Sequence, residues 1–134
     1  MGTFATLEEA QEFFKNDRFA TGNGCVLEEV GEGYAITSVV IRDSHRNGLG
    51  GVMGGLIFTL ADFACAVCIN QVHYPTVGLD GDIKFLAGTK GTKLFARATC
   101  VKAGRTTTVC RVDVTDDLGK DIALFVGTGF NLEK

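Results

Sequence analysis

The sequence predicts an α+β fold in which one antiparallel sheet wraps around a single long central helix. Three observations carry this. The run from Met53 to Val72, about 20 residues, is too apolar for a surface helix and holds one charged side chain, Asp62. Segments after it alternate apolar and polar residues with the period of two that marks a half-buried strand. The punctuation between them, at Ala103-Gly104 and Asp117-Leu118-Gly119, is of the short kind that joins antiparallel neighbours. A helix apolar nearly all round must be covered, and the sheet has to curl to cover it.

Element by element, residues 6–16 read as a short helix, with Thr6 and Glu9 as a capping box and Leu7, Ala10, Phe13 and Phe14 at helical spacing. "CVLEEVGEGYAITSVVI" reads as two strands joined at Gly31-Glu32-Gly33. The polar, glycine-rich loop "RDSHRNGLGGV" leads into the long helix, and Pro75, the single proline, marks the break after it. "TVGLDGDIKFLA" follows as a strand with Leu79, Ile83 and Phe85 opposed to Asp80, Asp82 and Lys84. "TKLFARATCVKAG" puts Leu94, Ala96, Ala98 and Cys100 on one face. "RTTTVCRVDVTDDLG" puts Thr108, Cys110, Val112 and Val114 on one face, and "KDIALFVGTGFNL" closes the sheet. No repeat or linker divides the chain, so residues 1–134 read as a single domain, with sheet edges suited to pairing with a second copy.

The totals remove several function classes. With 46% hydrophobic and 22% charged residues among 134, the chain is expected to fold as a globular unit. A net charge of −3 argues against nucleic acid as a partner. Lys84, Lys90, Lys93, Arg97, Lys102 and Arg105 cluster in the second half, either as ordinary solvated strand faces or as a local edge that holds a phosphate. Asp62 at the centre of the apolar run, two glycines at its start and no basic flank beyond Arg46 favour a helix wrapped by protein over a membrane span. Five cysteines, an odd number, all lie in apolar or strand-like runs, and the opening "MGTFATLEEAQEF" reads as an acidic helix start rather than a leader. Reduced thiols and a cytoplasmic location are the expectation. Cys65 and Cys68 form a C-x-x-C in mid-helix with no second pair and no histidine at ligand spacing; packed core thiols are expected there, and no metal site.

Chemistry converges at the start of the long helix. Gly54 and Gly55 leave the first backbone N–H groups uncovered, at the positive end of the helix dipole, where an oxygen gaining negative charge is stabilised. Asn47, in the preceding loop, offers an amide that can orient a water or a carbonyl. Asp62 comes two turns into the helix, where apolar surroundings favour a raised pKa suited to a general base. These are the parts for adding water to an acyl group. The same residues admit plainer readings: glycines for close packing, Asn47-Gly48 as a turn pair, Asp62 as a local cap.

The stretch "N-x5-M-GG-LIFTLAD" resembles the signature of the hotdog-fold acyl-CoA thioesterases, especially the phenylacetate-pathway type, in the 4-hydroxybenzoyl-CoA thioesterase superfamily. "DGDIKFLAGTKG", "ATCVKAGRTTTVCRVDVTDDLGKDIA" and "LFVGTGF" are similar to that family's later strands, so the resemblance covers roughly residues 10–131. It implies a hotdog fold, a homodimer or homotetramer with sites between subunits, and hydrolysis of an acyl-CoA, aromatic such as phenylacetyl or medium-chain, to free acid and CoA. By position it makes Asp62 the base or nucleophile, Asn47 the group that places water or thioester, and the Gly54 N–H the holder of the carbonyl oxygen. It assigns substrate and CoA contacts to Met53, Gly55, Gly78, Phe85, Leu86, Lys90, Lys102, Gly104, Arg105 and Thr106. No metal or cofactor is implied, coenzyme A being part of the substrate. The chain departs from the family at Met53, where the family carries histidine, at Gly78 for a serine or threonine, and at Ala87 for a proline. Met53 leaves open an alternative, an acyl-CoA-binding hotdog protein without catalysis.

Overall fold

The computed structural model describes residues 2–133. Its elements run α1 (Leu7–Phe14), α2 (Arg18–Gly22), β1 (Val26–Gly31), β2 (Tyr34–Val40), α3 (Gly54–Val72), β3 (Thr76–Phe85), β4 (Lys93–Ala103), β5 (Thr107–Asp116) and β6 (Asp121–Asn131). All six strands form one antiparallel sheet in the order β1-β2-β4-β5-β6-β3. The strand that follows the helix therefore returns to the far edge, and the sheet curls around α3 as its alternation predicts.

Local chemistry sets the ends of the elements. Thr6 Oγ1 accepts the Glu9 N–H at 3.1 Å and Glu9 reaches back to the Ala5 N–H at 2.9 Å, which starts α1. The helix then lays Phe14 edge-on against Phe63 of α3, with ring centroids 6.1 Å apart. The short helix α2 was not anticipated by periodicity, since five residues carry too little of it. Leu94, Ala96 and Ala98 of β4 and Cys110, Val112 and Val114 of β5 turn inward as their alternation predicts. On β6, Gly127 and Gly129 let α3 come close: a Cβ there would lie 2.7 Å from Cys65 Sγ or 2.6 Å from Ile69 Cδ1.

Leu60, Ala61, Ala64, Val67 and Cys68 are fully enclosed, and Cys65 nearly so; these thiols are packed core groups. The sheet leaves one stripe of α3 less covered, Gly55, Thr59, Asp62 and Ala66 at helical spacing, while Phe58 packs edge-on against Phe125 of β6 with ring centroids 5.2 Å apart. The edge strand β3 differs from the simple alternation read from its sequence. A register shift between Gly78 and Asp80 changes its phase, and both faces are largely open, with Leu79 62% and Phe85 56% exposed. A ten-residue edge with an open backbone ladder and exposed apolar side chains is unusual for a strand that stays unpaired.

Candidate active site

The loop before α3 is shaped by Asn47. Its Oδ1 accepts the N–H groups of Leu49 (3.0 Å) and Gly51 (3.2 Å), and its backbone N–H bonds the Gly51 carbonyl at 2.8 Å. The turn reading of Asn47-Gly48 is thus fulfilled, yet Nδ2 has no acceptor among the described residues and the side chain is exposed. Met53 follows in extended conformation (φ −63, ψ 134), pinned by its N–H to the His45 carbonyl at 2.8 Å. Its own carbonyl takes the Leu56 N–H, so helical bonding begins one residue past the glycines. The N–H groups of Gly54 and Gly55 have no acceptor among the described residues, and they sit at the positive end of a 19-residue helix. A Cβ on Gly54 would lie 2.9 Å from Phe85 Cζ, so the glycine also serves close packing. The Met53 thioether lies across Gly55.

His45 does not substitute for the missing family histidine. It is buried, its Nδ1 accepts the Arg42 N–H at 2.9 Å, and its Nε2–H donates to the Asn23 carbonyl at 2.9 Å. With both nitrogens used, the ring holds the loop and has no proton-transfer role at the glycines.

Openings flank the helix start on both sides. On one, a cleft of about 550 Å³ is lined by Gly51, Gly54, Ile57, Phe85, Leu86 and Thr89. Its outer wall is fixed from the β5–β6 turn: Thr89 Oγ1 donates to Asp116 Oδ2 at 2.6 Å, and Asp116 Oδ1 accepts the N–H groups of Leu118 and Lys120 at 2.9 Å. These bonds, that from Thr89 foremost, hold the Asp116 carboxyl below its ordinary pKa. On the other side, Phe19, His45, Met53, Gly55 and Thr59 line about 290 Å³. Phe19 and Thr59 also belong to the adjoining opening of about 370 Å³ that contains Asp62, Asp17 and Arg18.

Asp62 reaches solvent there and has no hydrogen-bond partner among the described residues. Phe58 and Phe63 line the same opening, and partial burial raises the Asp62 pKa above the ordinary carboxylate value. Asp17, at the start of α2, is raised by burial and then by the Asp62 charge. Sequence reasoning missed Asp17; the only signal was an acid in the N-cap position before "RFATG".

The predicted residues do not all meet within one chain. Gly54 and Asp62 are eight residues apart on α3, a rise of about 12 Å, too far for both to touch one carbonyl group. Phe85 and Leu86 share the cleft with Gly54, and the exposed Lys90 follows in the next loop. Gly78 lies on the open β3 edge, where a Cβ would meet nothing within 4 Å. Lys102, near the end of β4, and Gly104, Arg105 and Thr106 of the β4–β5 turn lie at the opposite end of the sheet. Phe85 is level with Ala123 and Val114, and nine residues of strand from there to Arg105 span about 30 Å.

A sheet curled round one helix, with amides at the helix start and an acid along it that find no partner among the described residues, defines a hotdog-type protein equipped for thioester chemistry. Residues 49–123 match the model of the thioesterase superfamily. The chain is 30% identical to the acyl-coenzyme A thioesterase PaaI of Escherichia coli over 90% of its own length and 86% of the relative's. It is 31% identical to a putative esterase of Archaeoglobus fulgidus over 90% and 79% of the two chains. Its fold superposes on the E. coli PaaI structure with a TM-score of 0.87 at 27% identity, covering 92% and 91% of the chains. A hypothetical thioesterase of Streptococcus pneumoniae, solved with coenzyme A, gives 0.82 at 26% identity over 90% and 98%. The chain belongs to the thioesterase superfamily, as a hotdog-fold thioester hydrolase.

Proposed function

We propose that this protein hydrolyses acyl-CoA thioesters to free acid and CoA, in a homo-oligomer whose sites form between two chains. The observation that carries this is the Gly54 N–H, without an acceptor among the described residues, at a glycine that lines the cleft of Phe85 and Leu86. The Gly54 N–H receives the thioester oxygen as it becomes an alkoxide. Antiparallel pairing of two β3 edges sets the Phe85 end of one chain beside the Thr76 end of the other. The partner's Asp62 then attacks the carbonyl carbon itself or takes a proton from the attacking water, and the free Asn47 Nδ2 orients water or thioester. As base, Asp62 takes a proton as water adds to the carbonyl carbon, the C–S bond breaks, and that proton leaves with the sulfur as CoA–SH. As nucleophile, its oxygen displaces the sulfur to give an acyl-aspartyl anhydride, which water hydrolyses to the free acid and the carboxylate, with one water proton going to the thiolate. This chemistry needs charge stabilisation and a placed water, so the reading includes no metal or organic cofactor.

An aromatic acyl group such as phenylacetyl, or a medium chain, suits the apolar walls around Phe19, Met53 and Leu56. The E. coli relative named as an acyl-CoA thioesterase and the coenzyme A-bound streptococcal neighbour support the ligand class. Five unpaired cysteines, four of them buried, support a cytoplasmic setting. A second reading follows from Met53, which offers no strong hydrogen bond where the family has histidine: a protein that binds acyl-CoA and does not turn it over. A thiol-release assay across aromatic, short and medium acyl-CoAs decides between them. Turnover that falls by at least ~100-fold in Asp62→Asn supports hydrolysis; binding without turnover by any substrate supports the second reading.

A further inference from the structure

The strongest unassigned feature lies at the far end of the sheet. Asn131, the last residue of β6, is buried, and its carboxamide is fully engaged. Oδ1 accepts the hydroxyls of Thr76 (3.2 Å) and Thr108 (3.0 Å). Nδ2 donates to the carbonyls of Gly104 (3.0 Å) and Arg105 (3.2 Å), and the Asn131 backbone N–H donates to the Thr106 carbonyl at 2.8 Å. Three successive carbonyls of the β4–β5 turn thus converge on one residue.

A trans peptide points its C=O and the next N–H in opposite directions. Holding the Gly104 and Arg105 carbonyls inward therefore turns the N–H groups of Arg105 and Thr106 outward, and neither has an acceptor among the described residues. Around them stand the exposed side chains of Lys102, Arg105 and Thr106. Outward amides flanked by two cations and a hydroxyl match the donor pattern that oxyanions select. The turn is also closed by the Gly104 N–H to the Thr107 carbonyl at 2.8 Å. A Cβ on Gly104 would lie 2.6 Å from that same oxygen, so the backbone has little freedom to rearrange.

We propose that Asn131 is the positioning residue of a phosphate-binding turn, holding the amides of Arg105 and Thr106 outward to receive a phosphate of the CoA nucleotide. The proposal rests on the acyl-CoA reading above and adds to it the buried group that builds the subsite. Asn131 touches no ligand itself; it acts through the turn.

Calorimetric titration of the full-length protein with CoA and with pantetheine, which lacks every phosphate, tests this. The readout is the ratio of the two dissociation constants, which a merely structural role leaves unchanged. Asn131→Ala is expected to shrink the preference for CoA about tenfold, as expected for loosened charge-assisted bonds. Thr108→Val, which removes one hydroxyl holding Asn131 and keeps the side-chain shape, shrinks it less and decides the matter if Asn131→Ala does not fold. A ratio unchanged in both, but reduced in the double variant Lys102→Gln, Arg105→Gln, overturns the role of Asn131. A ratio unchanged in all three removes the turn from the phosphate site and the proposal with it. The hydrolysis reading then still stands or falls on Asp62→Asn.

Discussion

If the thioester oxygen is held by the Gly54 N–H of one chain and attacked from Asp62 of another, two inactive variants restore each other. Gly54→Pro is the first. Met53 already has the extended ψ of 134 that a following proline demands, and the first helical position tolerates proline. The change deletes one N–H and requires the exposed Phe85 ring to swing off the glycine, so the helix persists. Losing an oxyanion donor lowers kcat by ~100- to 1,000-fold. Asp62→Asn is the second, with a loss of at least ~100-fold.

Each site needs one intact Gly54 and one intact Asp62 from different chains. Equal co-expression of the two variants gives each contribution intact half the time, so about a quarter of the sites are whole. This fraction holds for a dimer and for a pair of dimers alike. The assay is thiol release by the purified mixture against each variant alone and against wild type, with melting curves confirming that all are folded. Recovery to about a quarter of wild-type activity is expected. Activity no higher than the average of the two parents would refute the shared site, because the about 12 Å between Gly54 and Asp62 along one helix would then have to be bridged within a single chain.

Met53→His restores the family's donor beside Gly55; a rise in kcat with little change in melting temperature is expected, and unchanged kcat would make the histidine dispensable here. Asp62→Asn should raise the melting temperature at neutral pH. Its folded pKa is raised by partial burial, so the ionised group weakens the fold above that pKa; below the unfolded value both states are protonated and the gain disappears, which melts from pH 3 to 8 will show. Asp116→Asn should do the opposite. A depressed folded pKa contributes stability above the unfolded value and loses it as pH falls through the folded one, so the variant melts lower at neutral pH and converges with wild type in acid. Leu60→Ala, at a side chain with no exposure, should reduce unfolding stability by ~3–5 kcal/mol in urea titration.

Relatively local pattern was enough for much of this molecule. The apolar run at Met53–Val72 demanded a wrapped helix, the alternation in "TKLFARATC" and "TTTVCRVDV" fixed which side chains of β4 and β5 turn inward, and Gly54-Gly55 announced bare amides at the helix start. These depend on neighbours within a turn or a strand, so they are written in consecutive residues. Other features are joined only in space. The five residues of α2 bring Asp17 to Asp62 across 45 positions, and too short a helix carries no periodic signature. The Asn131 carboxamide closes on a turn 26 and 27 positions away, a contact that no local rule encodes. Tertiary structure alone placed β3 at the open edge and the Lys102–Thr106 turn at the other end of the sheet from Phe85. The physical reason is that periodicity and capping specify which face of an element is buried, whereas the order of strands in the curled sheet decides which faces and ends come together.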